Sequence, residues 1–227
     1  MKILMFLKSS EVDSNEFTAM IVAMYSGMRL EEICNIQDKH FLHGCFHVYE
    51  GKTKAAKRAI PVHPIVEPYL EQMSGTFGEG YLIKGIKSGG YDNKRSWHFQ
   101  KKLGRLRKKI GMPEGVVFHT LRNTFATRME NLGIPRNHIS QLMGHEDSNM
   151  ALDVYSGGLA IEPLVESIKK LTYGEEVDSF IKEAISEESI KVSGEKNKIS
   201  DLELNAKLQT SESILGSRIL RNVKEVN

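Results

Sequence analysis

The sequence holds only two cysteines in 227 residues, Cys34 and Cys45. That excludes a disulfide framework and suits a reducing cytoplasm. No apolar run reaches membrane-spanning length, and the opening MKILMFLKSS is interrupted by Lys8 and offers no small-residue cleavage site. Neither a transmembrane helix nor a signal peptide is expected. Gly51-Lys52-Thr53 has the ending of a phosphate-binding loop, but Phe46 stands where its first glycine would be and no long helix follows, so a nucleotide-binding loop is excluded. Metal-ligand clusters are scarce as well. Alternation would put His43, Cys45 and His47 on one strand face near His40, yet no second cluster closes a site, and no metal is expected.

What is present fits a soluble globular chain: 40% hydrophobic and 26% charged residues, enough for one large core or two small domains. The net charge of +2 hides an uneven distribution. Ten Lys/Arg fall between Lys84 and Lys109 against one acid, Asp92, while residues from Gly174 onward carry a net −3 and the first 173 residues +5. A basic body is followed by an acidic tail.

Helical periodicity begins at Ser14-Asn15-Glu16 and carries Phe17, Met20, Ile21 and Met24. Gly27 breaks it, and a second short helix opens near Arg29, so this arginine sits at a helix junction. From Lys39 to Val62 the pattern alternates, giving two or three strands, the last two joined by a hairpin over 51–57. Further helices are expected over 64–73, from about 93 to 110, over 120–131 and over 136–143, then a short one holding Met150, Leu152 and Val154, and one over 161–171. The basic run lies on the helix ending at Ile110 and suits a surface laid along phosphates. In the tail, Val177, Phe180, Ile181, Ala184 and Ile185 form an apolar stripe, 191–200 reads as a linker, and 201–226 as a weaker helix. The class is α+β, mainly helical with a small antiparallel sheet.

The chemistry concentrates between Phe118 and Tyr155. His119 and Arg122 are three residues apart, hence on one helix face, and Tyr155 lies ten positions beyond His145. An arginine fork matches a phosphate bidentately, histidine exchanges protons near neutrality, and tyrosine can attack as a nucleophile. The set suits chemistry on a phosphodiester. The helix pair over 120–143 equally fits a helix-turn-helix DNA reader without catalysis.

Four segments in this order, SGMRLEEI, HTLR, LMGHED and DVYSG, resemble the catalytic domain of the tyrosine recombinases, the phage-integrase family, over about Asp13 to Leu171. The resemblance implies a catalytic domain over 1–173 and a subunit-docking or regulatory tail over 174–227. It implies that Arg29 and Arg122 clamp a scissile phosphate and that Lys52, with Lys54 and Lys57 as competitors on the same hairpin, protonates the leaving 5′-oxygen. His119 and His145 assist proton transfer, Glu32 orients its neighbours, and Tyr155 forms a 3′-phosphotyrosine. DNA contacts are expected from Lys54, Lys57, Lys94, Arg95, Lys101, Lys102 and Arg105. The implied partner is duplex DNA, with a homotetramer on two sites and an accessory directionality factor, and no cofactor. A type IB topoisomerase would share the chemistry. Relatives carry a helical DNA-gripping domain ahead of the catalytic one, whereas about a dozen residues precede the first catalytic helix here. Weaker DNA affinity is therefore expected. The tail stripe suits docking on a neighbouring subunit or folding back in cis, and the acidic segment beyond 191 suits shielding of the basic face.

Overall fold

The computed structural model describes residues 2–9, 11–49, 54–73, 80–145 and 160–189. The chain divides into two units, Met1–Ser186 and Glu187–Asn227, and the following concerns the first. The hairpin tip with Lys52, the segment with Met150, Leu152, Val154 and Tyr155, and the expected linker and helix beyond 191 lie outside the described residues.

The unit is built around α2 (Ser14–Ser26). Its apolar residues recur so densely that no polar stripe remains, and Glu16 through Ser26 are buried on every side, as expected for a helix enclosed by its neighbours. Two of its polar side chains are satisfied within the helix: Thr18 and Ser26 donate back to the Ser14 and Val22 carbonyls. The cap is Asp13, one residue before the periodicity begins. Asp13 accepts from the Asn15 and Glu16 amides while Glu16 reaches back to the Asp13 amide, a reciprocal capping box.

Around this axis lie α1 (Lys2–Leu7), α3 (Leu30–Asn35), α4 (Glu67–Met73), α5 (Ser96–Lys109), α6 (His119–Asn131), α7 (Arg136–Met143) and α8 (Ile161–Lys169), followed by a helix over 175–189, here α9. The apolar opening is α1, which buries Leu4, Phe6 and Leu7. On one flank stands an antiparallel sheet of β1 (Phe41–Leu42), β2 (Cys45–Val48) and β3 (Arg58–Pro61) in the order β1-β2-β3. His43 and Gly44 both have positive φ, 53° and 68°, and make the tight two-residue turn of a β1–β2 hairpin. His43 is thus a turn residue, off the strand face that alternation assigned to it. The register pairs Phe46 with Ile60 and Val48 with Arg58. Phe46, Val48 and Ile60 enter the core, while Arg58 enters the candidate site.

The start of α5 is held from elsewhere in the chain. Glu31 on α3 accepts from the Arg95 and Ser96 amides at 3.2 and 2.8 Å, capping orphan donors that no local side chain caps. Asp92 and Asn93 lie in the turn before it. No described helix is long and apolar enough to cross a membrane.

Candidate active site

Four chain segments converge beyond the C-terminal end of α2. The helix stops at Gly27, whose φ of 66° is left-handed, and a Cβ there would lie 2.5 Å from the Phe125 ring. This turn releases the Gly27 carbonyl from the helical ladder and points it at Arg122. The chain then delivers Arg29, the extended residue preceding α3. α6 contributes His119 in its first turn and Arg122 one turn on. α7 ends at Gly144, also left-handed at φ 64°, and presents His145.

Arg122 is buried at 2% exposure and is held by two helix ends. Its Nη1 donates to Gly27 O at 2.5 Å and its Nη2 to Met143 O at 2.5 Å. Carbonyls at helix C-termini carry partial negative charge and are suited to fixing a buried guanidinium. Nη2 also donates to His145 Nε2 at 2.9 Å. Arginine has donors only, so that nitrogen accepts, and the imidazole is neutral with its proton on Nδ1. Burial pushes the His145 pKa down, and the charges of Arg122, Arg29 and Arg58, with His119, push it further. Arg122 is itself lowered to about 10 by burial first and then by Arg29 and Arg58, with Glu32 opposing. It stays charged at neutral pH.

Arg29 stands in front, its side chain 41% exposed. Its Nη1 donates to Glu32 Oε1 at 2.9 Å, and its amide to Glu32 Oε2 at 2.8 Å. Glu32 is shared with Arg58, whose Nη1 and Nη2 reach Oε1 and Oε2 at 3.1 and 3.0 Å. Burial resists ionisation of Glu32, but the Arg58 hydrogen bonds and charge, then the Arg29 amide and charge, outweigh it and hold the carboxyl below its usual range. Three guanidiniums around one carboxylate leave a positive site with Arg29 open to solvent. A cavity of about 780 Å³ runs from Arg29 and Gly144 past His47 and Tyr49.

The structure therefore brings Arg29, Glu32, Arg122 and His145 together. His119 is exposed at the start of α6 and acts on His145 through charge. Tyr155, Lys52 and the Lys54 side chain lie outside the described residues. Lys57 is exposed just before β3.

The remaining DNA-contact candidates differ in their surroundings. Arg95 stacks on Tyr81 at 3.6 Å and donates to Cys34 O at 2.9 Å, Lys94 pairs with Asp92, and Lys101 lies over Trp97 at 3.5 Å. Lys102 is bound by Asp13 at 2.5 Å and Glu16 at 2.7 Å, and Lys109 by Glu11 at 2.6 Å. The basic run thus has acidic partners, Asp92 from within it for Lys94 and, for Lys102 and Lys109, carboxylates about 90 residues away. Arg105 is exposed on the same face as Lys101.

Arg58 is the residue that sequence reading passed over. In the sequence it is only a lone cation opening the otherwise apolar strand Arg58–Pro61.

The sequence model of the phage integrase family matches residues 1–157. The chain belongs to that family, and its mostly helical body with a three-stranded antiparallel sheet is the catalytic-domain fold. Tyrosine recombinase XerC of Rickettsia canadensis (strain McKiel) is 30% identical over 133 residues, covering 56% of this chain and 43% of the relative. Tyrosine recombinase XerA of Pyrococcus horikoshii is 29% identical over 154 residues, covering 64% and 50%. The match spans about half the length of these relatives. Among solved structures, the integrase from mycobacterium phage Brujita superposes with a TM-score of 0.55 at 18% identity, over 81% of this chain and 61% of that one. The Tn1549 transposon integrase, solved in complex with circular intermediate DNA, superposes with a TM-score of 0.50 at 22% identity, over 68% and 60%.

Proposed function

We propose that this chain is the strand-cleaving part of a site-specific DNA recombinase that breaks and rejoins strands through a 3′-phosphotyrosine. The observation that carries the reading is the convergence of Arg29, Arg122 and neutral His145 on one positively charged, solvent-open site. A phosphodiester under attack gains negative charge on its non-bridging oxygens, and guanidiniums fixed beforehand stabilise that charge without reorganising.

The Tyr155 oxygen forms the new bond to phosphorus, and its proton passes to an imidazole of the site. The bond to the 5′-oxygen breaks as that oxygen takes a proton from Lys52. The reverse sequence, with a 5′-hydroxyl from another strand as nucleophile, rejoins the DNA. The phosphodiester energy is kept in the tyrosyl linkage, so no nucleotide or other cofactor is consumed. Arg29 and Arg122 hold the phosphate, His119 assists, and Glu32 orients. The tyrosine recombinases among the relatives and the DNA complex of the Tn1549 integrase support duplex DNA as the partner. A tetramer on paired sites with a directionality factor, in the cytoplasm, during movement of a mobile element, completes the proposal.

The test is a duplex nicked beside the cleavage point, so that religation is blocked, incubated with wild-type protein and with Tyr155→Phe. A denaturant-resistant protein–DNA adduct from the wild type and none from the variant is expected. Tight duplex binding without an adduct, even with a DNA-gripping domain supplied in trans, would leave the helix-turn-helix binder as the better account.

A further inference from the structure

We infer that Arg58 is a positioning residue that fixes the Arg29 clamp and the His145 segment to the hairpin strand. The inference rests on the recombinase reading above. Arg58 opens β3, six residues beyond Lys52 in the sequence. Its side chain is 3% exposed, too deep to serve as a surface contact for DNA. Its donors go to two other elements and to the backbone just before its own strand. Nη1 and Nη2 grip both oxygens of Glu32 on α3 at 3.1 and 3.0 Å, Nε donates to Leu142 O at the end of α7 at 2.7 Å, and Nη1 also donates to Ala56 O at 2.8 Å.

Each connection leads to a residue facing the cavity. Both Glu32 oxygens also accept from Arg29, one from the guanidinium and one from the amide, so the carboxylate is a rigid bridge between a buried arginine and an exposed one. The guanidinium also lies directly beneath Gly144. A Cβ at that glycine would fall 2.7 Å from Arg58 Nη1 and 3.0 Å from Ala55 O. Gly144 is the turn that aims His145, and its carbonyl lies 3.5 Å from Arg29 Nη2. Only a planar fork satisfies these acceptors at once. A lysine would keep the charge but lose the bidentate grip and the Nε bond.

The role predicts a dependence on substrate charge that general damage would not show. A methyl group in place of one non-bridging oxygen makes the scissile linkage neutral, so a misplaced Arg29 matters less. On the ordinary phosphodiester, Arg58→Met should slow adduct formation on the order of 10²-fold, the scale of losing one preset donor. Arg58→Lys should fall between it and the wild type, and duplex affinity should stay within about threefold, since Arg58 is buried away from DNA. On the methylphosphonate the defects of Arg58→Met and Arg29→Ala should both shrink by about tenfold or more, as the charge to be stabilised is gone. Glu32→Gln/Arg58→Met should be no slower than Arg58→Met alone, because both changes break one link.

Should Arg58→Met fail to fold, Arg58→Lys carries the same comparison. Equal defects on the charged and neutral substrates would overturn the positioning role, as would wild-type rates for Arg58→Met. Failure of the wild type on both substrates would instead remove the recombinase reading, and the inference with it.

Discussion

The hydrogen bond from Arg122 to His145 sets the protonation of the site. Because Nε2 accepts from a guanidinium at 2.9 Å, protonating His145 breaks a bond and places a fourth cation beside three. Its pKa lies below the ordinary imidazole value of about 6.5, so the neutral ring persists down to that lowered value. Adduct formation should therefore be level above the ordinary imidazole value of about 6.5 and fall only at more acid pH, as the lowered histidine takes up its proton. A pH–rate profile on the nicked substrate checks this, and an acid limb centred above pH 7 would contradict it. At this scale much was legible. His119, Arg122 and His145 stand out by residue type and spacing, and Arg29 by its place in the segment SGMRLEEI. Arg58 did not, because a single cation in a short strand says nothing of the four acceptor atoms that folding brings around it.

At the scale of elements, two features govern the site. The first is the end of α2. The break at Gly27 was readable from the sequence, but the Phe125 ring packed against it was not, since the two are brought together only by the docking of α6. Gly27→Ala combines a left-handed strain of about 1–2 kcal/mol with overpacking of about 1–3 kcal/mol, because the new Cβ meets the Phe125 ring at 2.5 Å. It should also displace the carbonyl that holds Arg122. A loss of a few kcal/mol in denaturant titration, with slower adduct formation, is expected, and a fully stable, fully active Gly27→Ala would refute this role for the turn.

The second feature is α5. Its cations divide into those neutralised by Glu11, Asp13 and Glu16 and those that are not so paired, a division invisible in a linear count of charges. Lys101 and Arg105 share the outward face. Replacing each by Gln should lower the slope of log affinity against log salt by about 0.9 for every phosphate left without its cation. Lys109→Gln should leave the slope unchanged, since that lysine is already paired at 2.6 Å. Equal effects at the three positions would show that the pairing does not persist in solution.

On the scale of the molecule, the question left open by sequence was what the tail stripe covers. Its period marks a buried face but carries no information on whose core that face joins. In the structure α9 joins its own: Val177, Ile181 and Ile185 are buried in the single core cluster, and Lys8 lies over Phe180. The connector before it is fastened at several points. Asp178 accepts from Tyr25 and Thr172, Tyr173 donates to Met24 O, Arg128 donates to Thr172 O, and His63 bonds Leu171 O at 2.9 Å. Ile181 is fully buried, so Ile181→Ala should cost about 2–5 kcal/mol. The thermal midpoints of wild type and variant should both be independent of protein concentration. A stripe that docked on a neighbour would instead give midpoints rising with concentration.

The same connector gives a pH dependence of stability. Burial lowers the His63 pKa, with its bond to Leu171 O opposing. Its unfolded form takes up a proton near pH 6.5 while the folded form resists, so stability falls as pH drops below about 6.5. The urea midpoint should decline from pH 7 to 5, and less steeply in His63→Gln. An equal decline in both would assign the effect elsewhere.

The central claim is that this site drives attack by one tyrosine on one phosphodiester, and it is tested most directly on the covalent complex itself. Protease digestion of the adduct followed by mass spectrometry identifies both the residue and the linkage. The account predicts a single nucleotide-bearing peptide containing Tyr155, joined to a 3′-phosphate, with a free 5′-hydroxyl on the released strand. A linkage to any other residue, or to a 5′-phosphate, would contradict it.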